Sequence, residues 1–462
     1  MSGTDEKPSA LASVSRWLAT GALIALLAFV GGVLAAANGM LPAKIVQLVA
    51  SIVSRAVVEL PNHLGSTPVH FLQPSNGSET GVTINKVAGN DLVLLTGFFD
   101  GDAGLRLIRR DGTLVAAWRF RHSAHFPDSS FLGSDAPASD WNTDLHGALI
   151  EPDGAVIANY EYGGTVKLDR CGKVLWTLAH RTHHSVEAAA GGGYWIPGRR
   201  VLARGDETRA FVPLTEAGTF PNFYDDLILK VGDNGKIETE VSVARVLLDN
   251  GLKAILTANG IRFDRGASVN SELVHLNKIA ELPASMAAAF PQFAAGDLLI
   301  SLREHNLVVV IDPNTWRVKW YQIGPWLRQH DPAFRPDGTI RVFNNNTFRT
   351  DLGPLDRVRP DVLPVSNIID ADPVSRQSRV VYGGRPGQEM LSVIRGSHDD
   401  LPEGHILITE FEKGRAFEVD GDGHVVWEYI SRYDDAFVTE ITGALAYPKD
   451  YFSVADWSCP AN

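Results

Sequence analysis

Two staggered repeats and one long apolar run predict an all-β chain, a six-bladed β-propeller, preceded by an N-terminal transmembrane helix. In the first repeat a histidine is followed eight residues later by a glycine that closes a polar turn: His146 to Gly154 (HGALIEPDG), His184 to Gly192 (HSVEAAAGG) and His330 to Gly338 (HDPAFRPDG). A fourth copy, His398 to Gly404 (HDDLPEG), is two residues tighter. In the second repeat an aspartate opens a turn and a tryptophan follows seven or eight residues on: Asp111 to Trp118, Asp169 to Trp176, Asp312 to Trp320 and Asp420 to Trp427. Asp233 heads a copy that lacks the tryptophan.

Residues 1–16 form a short N-terminal tail, and residues 17–37 (WLATGALIALLAFVGGVLAAA) an uncharged run of 21. At 1.5 Å per residue a helix of this length spans a hydrocarbon core of about 30 Å. Lys7 and Arg16 before the run and Lys44 after it orient the helix weakly, with the N-terminus inside. Ala35-Ala36-Ala37 also fits a signal-peptidase site, so cleavage is the alternative to anchoring. Within 38–64, apolar residues at helical spacing around Lys44, Gln47 and Arg55 predict an amphipathic helix or linker.

From 65 to 462 short apolar alternations are cut by Gly, Asp, Asn and Pro, the pattern of many short strands and few helices. The repeats divide this span into six four-stranded units, near 80–120, 142–180, 183–245, 270–322, 329–383 and 390–430, with the tail after 438 closing the ring. A β-sandwich or a pair of barrels would also be rich in strand, but gives no reason for the two stations to recur. The insertions 121–141, 198–225, 246–270 and 351–376 read as loops or short helices on a blade face.

A net charge of -12 argues against a nucleic-acid surface. Two cysteines, Cys171 and Cys459, with no CxxC pair exclude a zinc ribbon and a disulfide framework, while a single disulfide stays open in an oxidising compartment. The acidic doublets Asp225-Asp226 and Asp399-Asp400 read as solvated turns in preference to calcium sites. Neither a metal nor a cofactor is expected.

The innermost strand of each blade lines the central channel, so histidines at the starts of those strands converge. Grouped imidazoles supply a nucleophile, an acid or base, or a metal ligand. The plainer alternative is that each histidine caps its strand or bonds the next blade.

Four phrases, HHSVEAAAGGGYWIPGRR, VHLNKIAEL…DLLISLREHNLVVVIDPNTWRVKW, QHDPAFRPDGTIRVFNNNTFR and GRAFEVDGDGHVVWEY, together resemble bacterial arylsulfate sulfotransferases, periplasmic six-bladed propellers, over roughly 80–430. The resemblance implies that a channel histidine takes a sulfuryl group from an aryl sulfate and passes it to a phenol by a ping-pong route. Other histidines and an arginine would hold the sulfuryl oxygens.

By that resemblance His275 matches the histidine of the family's HxN phrase, His330 the histidine of QH, and Arg349 the arginine after Asn344-Asn345-Asn346. The family's transferring histidine aligns with the second strand of the last blade, ILITEFEKGRAFEVD, which contains none; the nearest are His398 and His405. His398 is therefore the candidate nucleophile, with His330, His275 and Arg349 as catalytic partners and His184 and His146 as substrate-binding residues. His183, beside His184, faces the channel or packs behind it.

The implied partners are an aryl sulfate, a phenol and, through 17–37, a bacterial inner membrane crossed once, with the propeller in the periplasm. The alternative function is a non-catalytic tethered propeller that binds or scaffolds an envelope protein. A metal-dependent lyase or hydrolase built on the histidines is a third reading.

Overall fold

The computed structural model describes residues 29–32, 67–75, 77–202, 223–257, 272–347 and 365–460. The chain divides into two compact units. Of the first, Met1–Leu60 with Asp264–Gly266, residues 29–32 are described and are helical. No helix among the described residues is long and apolar enough to cross a membrane. The expected spanning run 17–37 lies outside them apart from those four residues, and the expected helix over 38–64 wholly so up to residue 66.

The second unit is a ring of six antiparallel sheets. From the channel outward, blade two is Leu145–Ile150, Val156–Tyr160, Gly164–Leu168 and Val174–Leu178. Blade three sets Arg181–Thr182 and Glu187–Ala188 against Tyr194–Leu202, followed by Phe223–Val231 and Ile237–Ser242. Blade four is Leu276–Glu281, Leu298–Leu302, Leu307–Asp312 and Arg317–Ile323. Blade five is His330–Phe334, Ile340–Asn344, Asn367–Ala371 and Ser378–Tyr382.

The two blades at the closure borrow strands from the chain ends. Blade one is Leu92–Phe99, Asp102–Arg109 and Leu114–Phe120, with the late strand Ile441–Tyr447 innermost. Blade six is Ser397–Asp400, Ile406–Glu410, Arg415–Val419 and Val425–Ile430, with the early strand Gly81–Asn85 outermost. The expected first unit, 80–120, is thus corrected: its opening strand caps the last blade. Two expected insertions are also partly strand, since 198–202 and 223–225 extend blade three and 367–371 is the third strand of blade five.

Burial explains the sequence texture. Blades stack face to face, so middle strands are covered on both faces: all eight residues of Leu92–Phe99 and all five of Val156–Tyr160 are buried. Outer strands alternate, as in Ile237–Ser242, because one face meets solvent. A fully buried Leu or Val contributes about 1.5–3 kcal/mol, so these unbroken apolar runs hold the blades together.

Both repeats have a structural cause. Gly154, Gly192, Gly338 and Gly404 all take a left-handed φ (84, 87, 82 and 79°) in the turn out of the innermost strand, where a side chain is strained. The tryptophans clamp neighbouring blades. The Nε1–H of Trp118 donates to the carbonyl of Asp169 (3.1 Å), that of Trp176 to Asp233 (2.9 Å) and that of Trp427 to Arg110 (2.8 Å), each in the hairpin of the following blade. Asp233, without a tryptophan of its own strand, therefore still serves as the receiver for Trp176.

A disulfide joins Cys171, in the outer hairpin of blade two, to Cys459 in the C-terminal tail. The doublet Asp225-Asp226 is a correction: both residues are fully buried, Asp225 bonded to Arg200 (3.0 Å) and Asp226 to Arg199 (3.1 Å). A buried carboxylate needs such a partner to stay charged.

Candidate active site in the central channel

The innermost strands surround a cavity of about 520 Å³ whose wall includes His146, His184, His330, His398 and Arg395. His184 stands at the centre of a cluster. Its ring lies 3.8 Å from that of His146, 5.0 Å from that of His275 and 6.0 Å from that of His330, centroid to centroid. The first approach depends on Gly147, where an added Cβ would fall 2.0 Å from the His184 carbonyl oxygen.

His275 looked separate from the histidine-to-glycine repeat, yet it directly precedes the innermost strand of blade four. What differs is the connection after that strand, which carries the short 3-10 turn Ala287–Ala289 in place of a tight turn. In blade six Arg395 shares the left-handed backbone of His184 and His275 (φ 56, 53 and 54°) just before the innermost strand. Non-glycine residues in that region are uncommon and cluster at functional sites. His398 consequently sits further along the channel, and His405 pairs with Glu418 (2.6 Å) within its own blade.

His146 Nδ1 has no hydrogen-bond partner among the described residues, but four other rings are anchored through Nδ1, and the anchors fix their tautomers. Asn345 donates through Nδ2 to the carbonyls of Ser392 and Arg395 (both 2.8 Å), which leaves its Oδ1 to accept from His330 Nδ1–H (2.7 Å). His183 donates through Nε2 to the Gly198 carbonyl (3.3 Å), so its Nδ1 accepts from His184 Nδ1–H (2.7 Å). His275 Nδ1 donates to Glu272 (2.9 Å), and His398 Nδ1 donates to Asp331 (3.2 Å). In all four rings the unprotonated nitrogen is Nε2.

Burial, then the nearby Arg303 guanidinium, pushes His330 down to about 3 and His275 down to about 4. Burial and then Arg395 hold His146 well below the usual histidine range; burial and then the surrounding imidazoles do the same to His184. At neutral pH the cluster is uncharged.

An ionic chain crosses four neighbouring innermost strands. Lys278 bridges Glu187 and Asp331 (2.8 Å to the latter), and Asp331 also accepts the backbone N–H of His398 (2.9 Å). Burial alone would raise Asp331, but Lys278 and then His398 outweigh it and hold it well below the carboxylate range. Arg395 is enclosed by Asp144, Glu161 (2.7 Å) and Glu440 (3.4 Å). Arg395, Lys278, Asp331 and Asn345 were not singled out in the sequence. Asp331, Asn345 and Lys278 lie inside the QHD, NNN and VHLNKIAEL phrases, whereas Arg395 carried no signal.

Arg349 lies outside the described residues. The one group of three ligand-type side chains with atoms mutually within 4.8 Å among the described residues is Glu272, His275 and Glu304. Arg199 and Arg303 bind Glu272 (both 3.0 Å), and Arg303 and Arg328 bind Glu304 (both 2.8 Å). Those guanidiniums already compensate the carboxylates, so this donor set does not fit a cation.

Among solved structures the chain is similar to a protein of unknown function from Bacteroides caccae, with 12% identity over 78% of this chain and 99% of that one and a TM-score of 0.46. It is also similar to virginiamycin B lyase from Staphylococcus aureus, with 10% identity over 61% and 69% and a TM-score of 0.33. No curated protein sequence matches it. The family model for arylsulfotransferase (ASST) matches residues 147–432, from the residue after His146 to just past Val425–Ile430 of blade six. That match covers more than half of the chain, and the protein belongs to the arylsulfotransferase family.

Proposed function

We propose that the protein transfers a sulfuryl group from an aryl sulfate to a phenol, and that His330 is the histidine that carries it. One observation supports this above the others: Asn345 fixes the His330 tautomer so that a neutral ring offers its Nε2 lone pair on the wall of the channel. His398, favoured by the sequence, has a buried Nε2 and an Nδ1 tied to Asp331, an arrangement suited to moving a proton.

In the first half-reaction the His330 Nε2 lone pair forms an N–S bond as the S–O bond of the ester breaks. The phenoxide leaves as the anion. In the second half-reaction the acceptor phenol gives its proton to the free Nε2 of His398, its oxygen attacks sulfur, the N–S bond breaks, and His398 then releases the proton to water. The sulfuryl oxygens need a cationic fork. Arg395 and Lys278 are already neutralised by carboxylates, so Arg349 is assigned that task.

The propeller is further proposed to stand in the periplasm, tethered to the inner membrane by residues 17–37. The disulfide supports an oxidising compartment. The test is sulfuryl transfer from p-nitrophenyl sulfate to phenol by the purified full-length chain. We expect nitrophenolate release with phenyl sulfate formed, and a loss of at least about 100-fold in kcat/KM for His330→Ala. Folded protein that releases no nitrophenolate above background would overturn the reading and leave a non-catalytic binding propeller.

A further inference from the structure

Past the imidazoles the channel changes character. Glu187 follows His184 by three residues, Asp331 follows His330 directly and Asp399 follows Arg395 by four, so these carboxylates lie up to about 13 Å further along the chain. All three line the cavity.

Positive charge there falls short. Lys278 is shared between Glu187 and Asp331. Asp400 is held by Arg335 (3.0 Å) and Arg341, which also hold Asp370. Asp399 accepts the backbone N–H of Ala446 (2.8 Å) and makes no salt bridge to a lysine or arginine among the described residues. Among the described residues, Lys278 is the one lysine or arginine that pairs with any of these three carboxylates, and it reaches Glu187 and Asp331 but not Asp399. Burial pushes Glu187 up, and pushes Asp399 up to about 7, as expected for carboxylates short of counter-charge.

Two further acceptors point to a ligand. His398 and Asn277 line the same cavity at 6% and 4% exposure, and His398 Nε2 and Asn277 Oδ1 have no hydrogen-bond partner among the described residues. Leaving such atoms unmatched costs about 1–3 kcal/mol each, which a proton-donating ligand would offset. The remaining wall is apolar and aromatic: Phe334, Met286, Leu445, Tyr447 and Tyr451. A bare metal ion would leave that wall unused, and an anion would be repelled.

We infer that this half of the channel is an acceptor subsite selective for phenols that carry an ammonium group. The ring lies against Phe334 and Tyr447, the phenol oxygen faces the histidines and donates to His398 Nε2, and the ammonium meets Asp399 and Glu187, with a donor to spare for Asn277. This deepens the transfer reading and rests on it.

The test compares three acceptors on the full-length chain with p-nitrophenyl sulfate as donor: tyramine, the neutral p-ethylphenol and the anionic p-hydroxyphenylpropionate. The expected kcat/KM for tyramine exceeds that for p-ethylphenol by at least about 10-fold, the worth of one partly buried ion pair, with the anion poorest. Asp399→Asn brings the tyramine advantage to within about 3-fold. A wild-type protein that uses p-ethylphenol as well as tyramine overturns the subsite, as does an Asp399→Asn protein that keeps the full preference. Should that variant not fold, Glu187→Gln takes its place. If no acceptor supports nitrophenolate release, the transfer reading has failed, and calorimetry decides the subsite separately. Tyramine binding tighter than p-ethylphenol then sustains it, and equal binding overturns it.

Discussion

Whether a histidine attacks or merely assists depends on which nitrogen its neighbours leave bare. Asn345 can only accept from His330, because its own N–H groups are spent on two carbonyls. An amide also lacks the charge that would favour an imidazolium. Burial, and after it the Arg303 guanidinium, keep the ring neutral far below the ordinary histidine range, with His330 at about 3, although the Asn345 bond itself pulls the other way. The sign follows: the attacking form is the deprotonated one, so acid removes activity only as pH falls through the folded value, not through the free value near 6.5. We expect kcat/KM for p-nitrophenyl sulfate to show no acid limb between pH 7 and about 5. A limb centred near 6.5, measured at saturating acceptor, would mean that His330 titrates freely and that burial does not hold it neutral.

At the scale of the element the tryptophan repeat makes a claim of its own. Trp427 is fully buried and donates to Arg110 of the next blade, whereas Trp320 occupies the same station with no partner for its Nε1–H. Replacing each with phenylalanine removes similar ring area but only one hydrogen bond. Trp427→Phe is expected to cost about 1 kcal/mol more than Trp320→Phe in urea unfolding, the net worth of one buried hydrogen bond. Equal losses would reduce the repeat to apolar filling.

The same comparison shows what a sequence can carry. The stations of His146, His184 and His330 were legible because a glycine with left-handed φ must follow at fixed spacing. His275 was legible only by resemblance, since its blade replaces the tight turn with a longer connection. The Glu187–Lys278–Asp331 chain was not legible at all: its members are far apart in sequence and meet only because consecutive innermost strands stand side by side around the channel. Asp225-Asp226 failed for a related reason, because two adjacent acids look solvated until a neighbouring strand supplies Arg199 and Arg200.

For the whole molecule the weak point of a ring is its closure, and here two blades depend on strands from opposite ends of the chain. Ile441–Tyr447 is held on one side by the backbone ladder to Leu92–Phe99, and its side chains line the channel. Beyond it the tail crosses to blade two, where Arg170 donates to the carbonyls of Asp456 (2.9 Å) and Ser458 (2.8 Å) and Trp457 meets Trp118 edge-on at 6.4 Å. The Cys171–Cys459 bond fixes this crossing and joins residues 288 apart. A cross-link over so long a loop restricts the unfolded chain strongly, and removing a native disulfide typically costs about 2–5 kcal/mol. Cys171→Ser should therefore lower the urea midpoint and steepen its slope, because the unlinked denatured chain exposes more surface. Because the tail is continuous with a channel-lining strand, the same variant should also weaken tyramine use before it affects nitrophenolate release. Unchanged unfolding would show that the ladder closes the ring unaided. A loss of stability with both activities falling in parallel would show that the tail supports the fold as a whole and not the acceptor end of the channel.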